Sequence, residues 1–346
     1  MSEQLRVRHI PVFIPHLGCP HRCVFCDQRA ISGQMEFSID GVYEQIKAAN
    51  EGIRNRDRTR VEIAYFGGSF TAIPRALMHQ LLTLAQSFVD DGKVDSIRFS
   101  TRPDAVSKEL LAELAPYSIS TIELGLQSLS DHVLARCERG HTTAIAEDAC
   151  RRIVAHGYTL CGQMMLGLPL STLSDEQQTA RRICALGAKE ARIYPTVVLQ
   201  HTPLAEQMLR GAYVPLTVED AVVRAADVLD IFENSDVRCL RIGLCENEGL
   251  HGNAVLGGAH HPALGELVRA HRYLQRMRVA LDAFDSHLRC AIATFSVATG
   301  MRSQAIGQHK SNVLTLCREY GLSRVVVRED ATLQGSQLRL EGVSHA

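Results

Sequence analysis

Three of the eleven cysteines in this 346-residue chain stand within eight positions, in the run Pro15-His-Leu-Gly-Cys19-Pro-His-Arg-Cys23-Val-Phe-Cys26-Asp-Gln. Three thiolates on a short loop can converge on one metal centre, and soft sulfur donors select iron–sulfur clusters or zinc. A closed site of either kind takes four protein ligands. Only three are supplied here, and no second cysteine pair of matching spacing follows. One coordination position is left to a non-protein ligand, as in catalytic rather than structural sites. Three incidental surface cysteines are the weaker reading, because clustered exposed thiols oxidise. Zinc completed by His16 or His21 is the competing centre. The other eight, Cys137, Cys150, Cys161, Cys184, Cys239, Cys245, Cys290 and Cys317, are scattered singly and read as small buried hydrophobes.

The elements that must position these residues alternate. His9–Ile14 is a strand that ends just before the cysteine loop, and a helix follows with Val42, Ile46 and Ala49 on one face. Val61–Phe66 is a second strand, broken by Gly67-Gly68, then a helix with Leu77, Leu81, Leu84 and Phe88. Ser96–Ser100, Ile119–Leu124 and Tyr158–Leu166 are strands three to five, with helices at 106–115, 131–137 and 143–156 between them. Ser174–Gln177 has the form of a capping box, and Glu190–Tyr194 begins a sixth strand near Thr196–Leu199. Six strand–helix units predict a parallel sheet with right-handed crossovers, too short for an eight-unit barrel. The expected architecture is α/β, a partial six-unit barrel over 1–240, with a small C-terminal α/β extension over 241–346. That extension reads as a glycine- and histidine-rich loop at 243–261, helices from about Pro262 and near 309–320, a strand at 324–328 and a hairpin strand at 333–341.

In such sheets ligands bind at the carboxyl ends of the strands, and each remaining motif falls there. Tyr65-Phe-Gly67-Gly68-Ser69 follows the second strand, and its glycines admit positive φ and close approach of a ligand. Ser100-Thr-Arg102-Pro-Asp104 follows the third. Glu123-Leu-Gly-Leu-Gln127-Ser128 closes the fourth, with Arg139-Gly-His141 beyond it. Gln163-Met-Met-Leu-Gly167 ends the fifth.

Composition narrows the classes. The chain is 46% hydrophobic and 22% charged, with a net charge of -1. That is a globular balance without the basic excess of a general nucleic-acid binder. No apolar run approaches the roughly 18 residues a membrane span needs, so no membrane partner is expected. The first residues have no apolar core or cleavage site of a signal peptide, and the odd cysteine count speaks against a disulfide framework. Both point to the cytoplasm.

The Cys-x3-Cys-x2-Cys spacing, with Phe25 before the last cysteine, resembles the signature of the radical S-adenosylmethionine (SAM) superfamily. The order of the later motifs resembles the radical domain of the Elongator catalytic subunit and, more loosely, the oxygen-independent coproporphyrinogen oxidases. The resemblance covers roughly 9–240 and implies an oxygen-sensitive enzyme. By it, Cys19, Cys23 and Cys26 hold a 4Fe-4S cluster and the fourth iron takes SAM. Reductive cleavage then gives a 5′-deoxyadenosyl radical that abstracts a substrate hydrogen, with flavodoxin or ferredoxin as electron donor. It also implies SAM contacts at Gly67, Gly68, Ser69, Ser100, Gln127, Arg139 and Gln163, with Arg139 on the carboxylate. The relatives usually carry a glutamate where Ser100 stands, and an acidic residue or histidine where Gln163 stands. No acetyl-CoA-type glycine loop follows residue 240, so the resemblance is to the radical domain without the acetyltransferase.

Several residues stay open. Arg192 and Tyr194, with His201 beyond, suit the barrel mouth, and Arg192 equally suits a salt bridge at the core edge. His251, His260, His261 and Glu266 suit a metal or acid–base site, or a plain helix-entry loop. Basic runs at Arg54–Arg60 and Arg269–Arg278 read as solvated faces. The substrate is an RNA base or a small metabolite. The reading from a different class is a zinc-containing RNA- or protein-binding scaffold without radical chemistry.

Overall fold

The structure, a computed structural model, describes residues 6–14, 19, 23–26, 37–244, 254–284 and 288–345. Its described residues form two compact units: one holds the chain up to Thr217 together with Val228–His260, and the other holds Val218–Asp227 and the chain from His261.

In the first unit, β1 (Arg6–Phe13), β2 (Thr59–Phe66), β3 (Ser96–Thr101), β4 (Ile119–Gln127), β5 (Thr159–Leu166), β6 (Glu190–Pro195) and β8 (Arg238–Ile242) form one parallel sheet in that order. Helices α1 (Ile39–Glu51), α2 (Arg75–Asp90), α3 (Lys108–Leu114), α4 (Asp131–Arg136), α5 (Thr143–Ala155) and α6 (Leu173–Ala185) fill the crossovers that parallel strands require. This is a partial (β/α) barrel, with seven parallel strands instead of the expected six. The sixth ends at Pro195, and Val197–Leu199 is a separate short strand, β7, antiparallel to β9 (Val255–Gly258) inside the stretch expected to be loop. The seventh parallel strand, Arg238–Ile242, has two arginines among five residues and only one buried residue, so it lacks an apolar signal.

Period-two alternation splits the sheet into two unlike faces. The outer face is apolar and helix-covered: Tyr65 donates its hydroxyl hydrogen to the Leu81 carbonyl of α2 (2.7 Å), and a Cβ at Gly162 would sit 2.7 Å from Ile183 of α6. In α2 the buried residues are Met78, Leu81, Leu82, Ala85 and Phe88, so the face is rotated from the expected one toward Met78 and Leu82. The cap of α6 also lies earlier than the sequence suggested. Thr172 Oγ1 accepts from the Asp175 amide (3.2 Å) and Asp175 Oδ2 from the Thr172 amide (3.0 Å), which places Ser174 inside the first turn.

The inner face is charged. Arg98, almost wholly buried, lies 3.0 Å from Glu62, 2.7 Å from Glu123 and 2.8 Å from Glu190. Glu123 in turn takes Arg192 (2.8 Å), and Glu190 takes Arg238 (2.5 Å). Glu62 also meets Arg60 (3.4 Å), so each of the three carboxylates has more than one cation beside it and the interior holds paired charge rather than bare charge.

The second unit is built from α9 (Leu264–Asp282), β10 (Ala291–Val297), α10 (Arg302–Ile306), α11 (Ser311–Tyr320), β11 (Arg324–Glu329) and β12 (Leu338–His345); α8 (Val218–Asn234) runs through both units and α7 (Pro203–Leu209) belongs to the first. The sheet order is β11-β10-β12, with β12 antiparallel to β10 and not paired with β11. The expected hairpin is therefore replaced by a strand on the far side of β10, whose small residues Ala291 and Ala293 sit at the centre of the core with Phe295, Met277 and Leu316. Among the described residues, no helix is long and apolar enough to cross a membrane.

Two outcomes follow from the buried charges. Arg98→Met removes the cation that three buried carboxylates share and should cost about 3–5 kcal/mol, read as a fall in the denaturant midpoint. Burial opposes ionisation of Glu62, but His9 and Arg98 overcome it and hold its carboxyl down to about 2. Its folded value lies below the ordinary 4.5, so its contribution, about 3 kcal/mol, is full well above pH 4.5 and is lost as pH falls toward 2. In acid unfolding, the stability gap between wild type and Glu62→Gln should close across that window; a constant gap would contradict the pairing.

Candidate active site at the carboxyl ends of the strands

The loop after β2 is shaped by what it must pass. Gly67 has φ +93° and Gly68 φ +62°. A Cβ on Gly67 would lie 2.5 Å from the Ile14 carbonyl oxygen, while the Ile14 amide donates to the Phe66 carbonyl at 2.8 Å. The first glycine therefore lets β2 turn against the end of β1, at the root of the cysteine loop. Ser69 is buried and shares a hydrogen bond with Thr101 Oγ1 (2.8 Å) while accepting from the Arg102 amide (3.2 Å). Thr71 extends the chain of hydroxyls to Thr101 (2.6 Å), fastening the loop after β2 to the loop after β3.

Two arginines converge on Cys23. Arg139 Nη1 lies 3.4 Å and Arg102 Nη1 3.9 Å from Cys23 Sγ, and all three residues are buried. Arg102 is aimed by a forked bond to Asp104 (2.9 and 3.2 Å) and donates to the Arg139 carbonyl (2.5 Å). Arg139 donates to the Gly125 carbonyl (2.5 Å), and its buried Nε has no partner among the described residues. Gln127 ends β4 at φ +65°, past a register irregularity, with a buried Oε1 that likewise has no partner among the described residues. Gly125 makes this arrangement fit, because a Cβ there would meet Arg139 Nη2 at 2.9 Å and Gln127 Nε2 at 3.1 Å.

The cysteine loop is pinned by its backbone. The Val24 amide donates to the Cys137 carbonyl at the end of α4 (3.1 Å), and the Leu204 amide of α7 to the Val24 carbonyl (2.8 Å). Val24 packs with Val133 and Leu168, and Phe25 reaches Val198 and Leu204. Burial raises the Cys19 thiol, while the guanidinium charges of Arg102 and Arg139 pull against that rise. Among the described residues, no three Cys, His, Asp or Glu side chains close round a common point. His16 and His21 lie outside the described residues.

Below the loops, Gln163 Nε2 donates to Ser100 Oγ (3.1 Å) and Glu123 Oε2 (2.8 Å). Arg192 takes the salt-bridge role: it is an ion-pair partner of Glu123, and its guanidinium covers the Phe66 ring at 5.2 Å. Tyr194 is half-buried on the same strand and His201 is exposed. His251 lies outside the described residues; His260 and His261 are half-buried, Glu266 is exposed, and His261 Nδ1 accepts from the Ala263 amide (3.0 Å). Sequence reasoning missed Arg102, Gly125 and Glu123 as members of this site. The available signal was position, since each sits at or near the carboxyl end of an inner strand.

A family model described as the Radical SAM superfamily matches residues 13–183, and one described as the Radical_SAM C-terminal domain matches 188–276. The chain belongs to the radical SAM superfamily and is an enzyme of that class. It is 29% identical over 235 residues to the uncharacterized protein MJ0486 of Methanocaldococcus jannaschii, covering 65% of this chain and 72% of that one. It is 22% identical over 297 residues to the tRNA uridine(34) acetyltransferase of the same organism, covering 75% of this chain and 54% of that one. In fold it is similar to the archaeal Methanocaldococcus infernus Elp3 with an N-terminal deletion, with a TM-score of 0.61 at 20% identity, covering 79% of this chain and 63% of that one. The chain thus spans little more than half of the acetyltransferase it matches.

The family implies SAM and a 4Fe-4S cluster. The residues present fit both. Two guanidinium donors beside one sulfur favour its anionic, metal-ligating form. The buried Gln127 Oε1 and Arg139 Nε are polar atoms a ligand would satisfy. Gly67→Ala should cost at least about 2 kcal/mol, read in thermal unfolding, because positive φ and the Ile14 carbonyl both exclude a side chain. An unchanged midpoint would overturn this account of the glycine.

Proposed function

We propose that the chain binds a 4Fe-4S cluster through Cys19, Cys23 and Cys26 and cleaves SAM reductively, using the radical to abstract hydrogen from an RNA base or a small metabolite. The observation that carries this is Cys23, ringed by Arg102 and Arg139 beside the buried, unpartnered Gln127 Oε1 and Arg139 Nε. When bound, the cluster supplies the electron that breaks a carbon–sulfur bond of SAM, leaving methionine and a 5′-deoxyadenosyl radical.

The chain's own residues bind and orient. Arg139 presents a guanidinium to the SAM carboxylate, and Gln127 Oε1 accepts a hydrogen from its amine or ribose. Gly67, Gly68 and Ser69 form the turn that meets the amino-acid moiety. Ser100 accepts from Gln163 and keeps its own hydroxyl hydrogen for a ribose oxygen. Arg102 is a positioning residue: Asp104 fixes it, and it fixes the Arg139 backbone and the Cys23 sulfur. An RNA base as substrate is supported by the similarity to a tRNA uridine(34) acetyltransferase, and flavodoxin or ferredoxin in the cytoplasm would supply electrons.

Anaerobically purified protein should be brown, oxygen-sensitive and carry about four irons per chain, a content lost in Cys23→Ala. Arg139→Ala should keep the iron yet weaken SAM binding by about tenfold to a hundredfold, the range for a charged hydrogen bond. Colourless protein with one zinc and no 5′-deoxyadenosine under strong reductant would establish the zinc scaffold instead.

A further inference from the structure

The charge of this chain is unevenly spread. Residues 261–346 carry eleven Lys and Arg against seven Asp and Glu, while the preceding 260 carry 26 against 31. A near-neutral total therefore conceals a basic C-terminal segment on an acidic remainder. In the second unit, part of that excess gathers round an open cleft of about 520 Å³, lined by Arg302, Ser303, Gly307, His309, Lys310 and Glu329 among others.

The cations here are unspent. Arg302 uses Nε on the Val327 carbonyl (3.0 Å), which seats its guanidinium at the edge strand β11, and neither its other nitrogens nor Lys310 Nζ meets an acidic partner among the described residues. Glu329, the carboxylate in the lining, is already taken up by the Gly300 amide (3.1 Å). The backbone is held in an uncommon form. Gly307, His309 and Lys310 have φ of +78°, +51° and +63°, and two of these carry side chains. Held outliers of this sort gather at ligand sites. At φ +78° a side chain on Gly307 would be strained, and its Cβ would crowd Ser311 Oγ and Asn312.

We infer that this cleft binds the phosphodiester backbone of an RNA strand, with Arg302 and Lys310 each neutralising a phosphate. A basic segment on an otherwise acidic chain suits a polyanion held by several contacts better than a single small anion, because each neutralised phosphate releases counterions. The inference rests on the RNA arm of the proposed function and deepens it, since it gives that substrate class a contact in the second unit.

The test is fluorescence anisotropy of a labelled stem–loop RNA with the full chain, from about 50 to about 200 mM salt. Arg302→Ala/Lys310→Ala should bind more weakly, and its slope of log affinity against log salt should be shallower by about 2. Glu329→Gln should bind more tightly, because its amide still accepts from Gly300 while a repelling charge is gone. Wild-type slope and affinity in the double variant, or no tightening in Glu329→Gln, would overturn the site. Complete displacement of the RNA by millimolar inorganic phosphate would overturn the polyanion and leave a small-anion cleft. Binding is read without reductant, so the two readings fail separately. RNA binding with no SAM cleavage would sink the radical chemistry alone, and normal cleavage with an unaltered salt slope would sink this site alone.

Discussion

A guanidinium buried among three carboxylates constrains everything above it. Arg98 cannot reach water, and Glu62, Glu123 and Glu190 come from three other strands to meet it. Each bond requires its strand to stand in one register, because a slip of one residue would carry a carboxylate to the apolar outer face. The ion cluster therefore acts as a gauge for the sheet. Desolvation offsets much of its Coulombic attraction, and misregistered alternatives would leave charges unmatched in the interior.

The gauge sets the height of the mouth. Glu123 passes its second oxygen to Arg192 and Gln163, and Gln163 passes on to Ser100, so the ordered polar chain climbs from floor to carboxyl ends. Above it, the loops are tied crosswise: Ser69 to Thr101, Arg102 to Arg139, Val24 to Cys137. Each tie joins segments far apart in sequence. A loop fixed at several such points loses little entropy when a ligand arrives, which is how rigid scaffolds make usable sites from irregular chain.

What was legible in the sequence followed the outer face. Ile63, Tyr65, Ile97, Phe99, Ile122 and Leu124 announce strands because they alternate against helices, and the motifs could be placed after them. The inner face wrote no such signal. Arg98 looks like a solvent-facing charge until it is seen to pair, and Arg238 and Arg241 hid a whole strand in the same way. At the site the cysteines and Arg139 stood out through spacing. Gly125 did not, since its need is for absence of a side chain beside two residues that come near it only in three dimensions.

The serine at position 100 makes sense on the same electrostatic terms. Ser100 and Glu123 are partners across the parallel ladder, and both reach Gln163 Nε2. A glutamate at 100 would set a second carboxylate beside one that is already buried and committed to Arg98 and Arg192. Two carboxylates sharing one site disfavour each other's ionisation, and Gln163 has only one amide group to place between them. A neutral hydroxyl avoids that conflict. A neutral glutamine at 163 completes the arrangement, because a carboxylate there would again face Glu123. Ser100 and Gln163 thus form one coupled neutral pair above the anion on β4, and a carboxylate placed at either alone would disturb the ion cluster before it touched any ligand.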